Sequence, residues 1–219
     1  MKELPHAARI RWKRRQASLD GFREGWQHYR VEPAQTVAGE PTGVSQPKAT
    51  RFTIDGDEGL EEGLLKMCEE VSTGIHKIVP KGQLEAVVLG GGYGRGQGGV
   101  LSAQGGDKPY NDLEFYVFVR GNVVWQERVY RNELEELSKR LSAEAGLHVE
   151  FKVDSLEKLR QGPVSMFSYD LVSAHRVVFG SEETFAGCEK HLDAKKIPLS
   201  EATRLLFNRC SGLLMVREF

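Results

Sequence analysis

The stretch Leu84-Glu-Ala-Val-Val-Leu-Gly-Gly-Gly-Tyr-Gly-Arg-Gly-Gln-Gly-Gly99 joins a short apolar run to a loop that contains seven glycines. An apolar run that ends at glycine is typical of a buried strand. The glycines let the backbone take positive φ and approach a ligand closely, and successive N–H groups in such a turn form an anion-binding concavity. The stretch therefore predicts a strand followed by a phosphate-binding loop.

A second strand is predicted after a polar loop, at Asn111-Asp-Leu-Glu-Phe-Tyr-Val-Phe-Val119. Its apolar residues alternate with Asp112 and Glu114, so a strand would send both carboxylates to one face. Neighbouring carboxylates repel each other, and a divalent cation relieves that repulsion. A phosphate loop beside a Mg²⁺ site is the combination that phosphoryl and nucleotidyl transfer require.

Two other interpretations of the glycine loop are open. Gly94-x-Gly96-x-x-Gly99 fits the dinucleotide-binding pattern, which requires a helix directly after it. Gly105, Gly106 and Pro109 prevent a long helix there, which disfavours that interpretation. The remaining alternative is a glycine-rich hairpin whose acidic neighbours are simply solvated.

The two motifs together resemble the nucleotidyltransferase (DNA polymerase β-like) superfamily, in its bacterial minimal form. The resemblance is carried by Gly91-Gly-Tyr-Gly-Arg-Gly96, a spacer and Asn111-Asp-Leu-Glu-Phe115, and it extends over roughly Glu58 to Gly180. The chain departs from the family in its long spacer, in Gln97, where several relatives have an acid, and in Glu114, where Asp is common.

The resemblance implies an enzyme that transfers a nucleoside monophosphate from an NTP, with ATP the first candidate, to an acceptor hydroxyl and releases pyrophosphate. Asp112, Glu114 and a third acid would be the catalytic residues and would hold two Mg²⁺ ions. Gly91, Gly92 and Gly94 would bind the nucleotide through backbone N–H groups, and Arg95 through its guanidinium. The acceptor is not identified, and a catalytically silent nucleotide-binding or scaffold protein of the same fold is the alternative.

The third acid is expected on a later strand, Leu147-His-Val-Glu-Phe-Lys-Val-Asp154. Glu150 and Asp154 share one face of that strand. Glu150 has the hydrophobic-acid-hydrophobic setting of the family's third acid, which makes it our candidate. Asp154 is expected instead to cap the following helix, because Glu157 stands three residues later, as in a capping box.

Helical and strand patterns flank these motifs. Helical periodicity predicts helices from Glu58 to Ile78, from Tyr130 to Ala145 and from Ile197 to Met215, and Val177 to Phe179 would be an edge strand. The fold class that follows is α/β (α+β): a mixed sheet with flanking helices, of nucleotidyltransferase type, and then the start of an α-helical region. The last helix is so apolar that it needs cover, which suggests a missing C-terminal helical domain or a homodimer.

The remaining sequence sets the predicted domain organisation. Residues 1–52 contain a basic and aromatic arm followed by a Pro/Gly linker, residues 53–183 the catalytic domain, and residues 184–219 the start of the C-terminal helical region. Arg9, Arg11, Lys13, Arg14 and Arg15 lie beside Trp12, so the arm could contact nucleic acid, although packing of its aromatic residues on the protein body is the simpler interpretation.

Composition excludes several classes of protein. The 219 residues are 28% charged and 40% hydrophobic, as in a globular protein, and the net charge of −1 does not by itself indicate nucleic-acid binding. Three cysteines without C-x-x-C spacing indicate neither a disulfide framework nor a zinc site. No apolar run is long enough to cross a membrane and no signal peptide is evident, so we expect a cytoplasmic protein.

Overall fold

The computed structural model describes residues 51–218. The basic and aromatic arm predicted before residue 51 lies outside the described residues. The elements in chain order are α1 (Glu58–Ile78), β1 (Leu84–Leu89), the single turn α2 (Gly91–Gly94), β2 (Val100–Ala103), β3 (Gly106–Pro109), β4 (Leu113–Val119), α3 (Val123–Ala145), β5 (Val149–Asp154), α4 (Leu156–Gln161), α5 (Met166–Ser173), β6 (Arg176–Phe179), two 3-10 turns (Glu189–Leu192 and Ala194–Lys196) and α6 (Leu199–Glu218).

A four-stranded mixed sheet with the order β5-β4-β1-β6 forms the centre of the fold. β1 pairs antiparallel with both β4 and β6, whereas β4 and β5 are parallel. The connection between the parallel strands contains α3, as a crossover requires. The predicted fold class, a mixed sheet with flanking helices, is confirmed.

The long helices α1 and α3 cover one face of the sheet. Their apolar stripes are buried against the strand residues that point to this side. From β4 these are the alternating residues of the predicted strand, which are 0% to 1% exposed: Leu113, Phe115, Val117 and Val119. The helical period of the sequence predicts an apolar stripe on α1, and all of its residues but the partly buried Ile78 are buried: Leu60, Leu64, Met67, Cys68, Val71 and Ile75. Gly146 ends α3 in the left-handed conformation, with φ +68°.

A second apolar layer covers the opposite face of the sheet. Ala86, Val88, Tyr116 and Phe118 pack there against short elements, chiefly α4, α5 and the segment that contains Phe185 and Cys188. Phe185 meets Phe118 edge to face, with ring centroids 5.6 Å apart. Residues beyond 183 thus pack on the sheet, while the predicted boundary at residue 183 stays a prediction.

Two local predictions were wrong. The spacer between the glycines and the acids is not a polar loop: β2 and β3 form an antiparallel hairpin there. The N-cap of α4 is Ser155, whose side chain accepts the N–H of Lys158 at 3.4 Å. Asp154 still belongs to β5, because its backbone pairs with Phe118, and its carboxylate binds the Lys158 ammonium at 3.0 Å.

The C-terminal helix α6 is largely exposed. Leu199, Leu206 and Leu213 are 83%, 63% and 74% exposed, and they recur at intervals of seven residues. Across residues 51–218 no helix combines the length and the apolar character that a membrane crossing needs.

Candidate active site

The glycine loop begins directly where β1 ends. The N–H of Gly90 donates to the carbonyl oxygen of Glu114 on β4 at 3.0 Å, which ties the loop to the acidic strand. Gly91 has φ +61°, a conformation in which glycine is favoured. The first N–H groups of a helical turn have no partner inside the turn, and Gly90 has no side chain to cap them. The N–H groups of Gly91 and Gly92 therefore take no part in the hydrogen bonds of the turn itself.

Gly94 has a structural role within the same turn. Its N–H donates to the carbonyl oxygen of Gly90 at 3.1 Å, which closes the turn. A Cβ on Gly94 would collide with the carbonyl oxygen of Leu89. The absence of a side chain at Gly94 is thus required by packing against β1, whatever ligand the loop binds.

Tyr93 connects the loop to the strand that carries the acids. This side chain is 1% exposed, and its hydroxyl donates to the carbonyl oxygen of Gly99 at 2.7 Å. The same hydroxyl accepts the N–H groups of Tyr110 and Asn111, at 2.9 and 3.1 Å. Tyr93 therefore brings both ends of the inserted hairpin together and holds the start of β4 beside the glycines.

The two glutamates of the predicted catalytic set lie side by side. Glu114 and Glu150 are paired in register across the parallel strands β4 and β5. The ammonium of Lys152 contacts both, with Nζ 3.4 Å from Oε2 of Glu114 and 3.1 Å from Oε2 of Glu150. All three side chains are about 40% exposed, at 38%, 42% and 38%. The two carboxylates therefore converge on one positive charge.

Asp112 is separate from this pair. It is 66% exposed, and its Oδ2 lies 3.9 Å from Nδ1 of His148. Within residues 51–218 no group of three acidic, histidine or cysteine side chains is close enough to hold a metal ion. The oxygen donors of Glu114 and Glu150 suit Mg²⁺ in their chemistry, and they already surround a cation. The structure thus brings together two of the three predicted ligands.

Arg95 points to a partner that the sequence did not indicate. Its Nη1 forms an ion pair with Oδ2 of Asp170 on α5, and the side chains are 30% and 49% exposed. This pair anchors the end of the glycine turn to α5, the helix that packs against Tyr116. The guanidinium has further donors, so an ion pair with Asp170 and a contact with a ligand are compatible.

Tyr116 completes the surroundings of the acidic pair. Its hydroxyl donates to Oε2 of Glu114 at 2.8 Å, and its ring lies 5.4 Å from the Lys152 ammonium. Burial raises the pKa of the Tyr116 phenol far above its usual value, and the hydrogen bond to Glu114 raises it further. Tyr116 is therefore a hydrogen-bond donor that orients Glu114.

Four residues of this site were not among the predicted ones: Tyr93, Tyr116, Lys152 and Asp170. Lys152 could have been found, because it follows Glu150 by two residues and so shares its strand face. Tyr116 follows Glu114 in the same way. Tyr93 and Asp170 have no comparable signal, since their partners come from distant parts of the chain.

Comparisons with known proteins gave structural matches only. No family model and no curated protein matches the chain. A crystal structure of a toxin–antitoxin with AMP-PNP is similar at a TM-score of 0.36 and 14% identity, over 68% of this chain and 98% of that chain. The toxin–antitoxin MntA-HepT is similar at 0.34 and 12%, over 69% and 97%. A tri-AMPylated Shewanella oneidensis HEPN toxin in complex with MNT antitoxin is similar at 0.34 and 13%, over 70% and 98%.

These identities and TM-scores are too low to establish a family or an activity. Only the residues of the site itself therefore indicate what the protein does.

Proposed function

We propose that the chain is a nucleotidyltransferase that moves a nucleoside monophosphate from an NTP to an acceptor hydroxyl and releases pyrophosphate. One observation carries the proposal: Glu114 and Glu150 are in register on adjacent strands, and the glycine loop is hydrogen-bonded to the backbone of Glu114 itself. The glycine loop that we propose binds phosphate is thus adjacent to a pair of carboxylates, which supports the chemistry that the motif resemblance implies.

The glycine loop would bind the triphosphate. The N–H groups of Gly91 and Gly92 would donate to its oxygens, while Gly94 keeps the turn closed against β1. Arg95 would add a charge-assisted hydrogen bond, while its ion pair with Asp170 ties the guanidinium to α5.

The carboxylates Asp112, Glu114 and Glu150 would hold Mg²⁺. When bound, the metal would neutralise charge on the triphosphate and lower the pKa of the attacking hydroxyl. Tyr116 keeps one oxygen of Glu114 oriented through its hydroxyl. Asp112 is exposed directly before β4, and continued alternation along the chain would put it on the same side as Glu114, so it is the third member of the proposed set.

The test is label transfer from each of four α-labelled NTPs with Mg²⁺, with and without cell extract as a source of acceptors. We expect label to move from one NTP to an acceptor, and Glu150→Gln to abolish the transfer while the protein stays folded. Asp154→Asn is the matched control, since Asp154 lies on the same strand face but is paired with Lys158. Transfer that survives in Glu150→Gln and is lost in Asp154→Asn would contradict the assignment of Glu150.

The second candidate is a protein that binds a nucleotide without turnover, for which the Lys152 ammonium between the two glutamates is the favouring observation. Thermal shift separates the two functions when combined with the labelling experiment. Both predict stabilisation by NTP, of about 2.7 kcal/mol at a hundredfold excess over Kd. The enzyme requires Mg²⁺ for this stabilisation and transfers label. The binding protein is stabilised by NTP without Mg²⁺ and transfers no label.

A further inference from the structure

The Lys152 ammonium occupies the point on which the two glutamates converge. We propose that Lys152 is an internal counter-ion that competes with a divalent cation for Glu114 and Glu150, and thereby sets the metal affinity of the site. This inference rests on the proposed function, because it concerns regulation of the same site.

The contacts of Lys152 are specific to the acidic pair. Its Nζ lies within 3.4 Å of one carboxylate oxygen from each of two strands, and it faces the Tyr116 ring. Tyr116 also donates to the Glu114 oxygen that Lys152 contacts, so this oxygen serves both groups. The ammonium is therefore held on the side of the carboxylates on which a bound cation would have to lie.

Electrostatics explains why a cation is needed here. Like charges directly opposite each other on paired strands destabilise a sheet, and Glu114 and Glu150 are such a pair. An ammonium offsets the repulsion, and so does a divalent ion. The two cannot both occupy the gap between the carboxylates, because their own charges repel at such short distances.

The competition is one that a metal ion can win. Lys152 is 38% exposed, and ion pairs at this exposure are weak because solvent screens them. A divalent ion carries twice the charge, while the lysine stem is flexible and lets the ammonium move away. Because a metal ion must first displace the Lys152 ammonium, the presence of Lys152 should lower the apparent metal affinity several-fold without preventing binding.

The experiment measures Mn²⁺ binding to the nucleotide-free chain, with free Mn²⁺ followed by electron paramagnetic resonance. We expect Lys152→Met to bind Mn²⁺ about three- to tenfold more tightly than the unchanged protein, since the weak ion pairs no longer compete. Lys152→Arg keeps the charge and should bind Mn²⁺ much less tightly than Lys152→Met.

Lys158→Met is the matched control for net charge. Lys158 is also paired with a carboxylate of β5, at 3.0 Å from Asp154, but it contacts neither glutamate of the pair. Its removal changes the charge of the protein equally and should leave Mn²⁺ affinity within about twofold, as expected for a surface ion pair. A gain in Lys158→Met equal to that in Lys152→Met would overturn the proposal.

Two further outcomes separate this inference from the proposed function. Equal Mn²⁺ affinity in Lys152→Met and the unchanged protein, together with label transfer, would overturn only the role of Lys152. Lack of Mn²⁺ binding in every variant, without label transfer, would overturn both. Lys152→Gln is the second neutral variant, and a melting curve for each protein shows that it is folded.

Discussion

The two faces of β4 differ in what covers them. On one face Phe115 and its apolar neighbours are sealed under α1 and α3, which are 21 and 23 residues long. On the other face the cover consists of shorter elements, including α4 and α5, with 6 and 8 residues. Phe118 is buried on that face as well, but Glu114 at its edge is 38% exposed.

The difference shows how one strand can serve both stability and chemistry. A helix of about 20 residues spans about 30 Å, enough to cover the sheet along its strands, whereas a helix of two turns leaves part of the face open. The open part contains Glu114, Glu150 and Lys152, next to the glycine loop. Substitutions on the sealed face should therefore change stability, and those on the open face should change binding.

The largest expected effect is on the sealed face. Phe115→Ala should lower the free energy of unfolding by about 3–5 kcal/mol, because Phe115 is fully buried and its removal leaves a cavity. Glu114 directly precedes Phe115 and lies on the open face, so Glu114→Gln should lower the free energy of unfolding by less than about 1 kcal/mol. Urea denaturation of both variants measures the difference. Similar losses would mean that the two faces do not divide the roles as described.

Gly94→Ala should have the next largest effect, at the boundary between loop and sheet. Its new methyl group meets the carbonyl oxygen of Leu89, so strain should cost about 1–3 kcal/mol even without ligand. Gly82→Ala is the control, because nothing lies within 4 Å of a Cβ there. Melting curves without nucleotide test this. An unchanged melting temperature in Gly94→Ala would show that the turn is free to move.

Tyr116→Phe tests a polar contact on the open face. It removes the hydrogen bond to Glu114 and leaves the packing, so it should cost about 0.5–1.5 kcal/mol. Since the pKa of the phenol is raised, this contribution should be constant from neutral to moderately alkaline pH. Urea denaturation at two pH values measures it. A contribution that disappears with mild alkali would contradict a protonated donor.

The smallest effect is expected at Asp57, the N-cap of α1. Hydrogen bonds from the N–H groups of Asp107 and Leu60 lower the pKa of its carboxyl. A lowered pKa means that the ionised form adds stability above the usual Asp pKa, and that this stability is lost as the pH falls through the lowered value. The amide in Asp57→Asn does not titrate, so this variant should be slightly less stable than the unchanged protein near pH 7 and equally stable in acid. Urea denaturation near pH 7 and in acid measures the difference in the free energy of unfolding between the two proteins. A difference that is the same at both pH values would contradict the lowered pKa of Asp57.

The parts that could be predicted from the sequence have short-range or periodic signals. The stripe of α1, the end of α3 at Gly146 and the alternation of β4 follow from local patterns. The inserted hairpin could not be predicted, because β2 and β3 have only four residues each and β3, Gly-Asp-Lys-Pro, has neither apolar alternation nor strand-forming residues. The N-cap of α4 was predicted one residue too early, because Asp154 and Ser155 are both good N-cap residues. Only the pairing of Asp154 with Phe118 assigns Asp154 to β5.

The sequence alone determined that an acidic strand follows a glycine loop in a mixed α/β fold, because alternation and glycine content are properties of neighbouring residues. Tertiary structure alone decided which charges meet. Glu114 and Glu150 became neighbours through the register of two parallel strands, Lys152 came to lie between them, and Arg95 met Asp170 across 75 residues of chain. Such contacts depend on strand pairing and on the packing of distant elements, for which a sequence pattern carries no local signal.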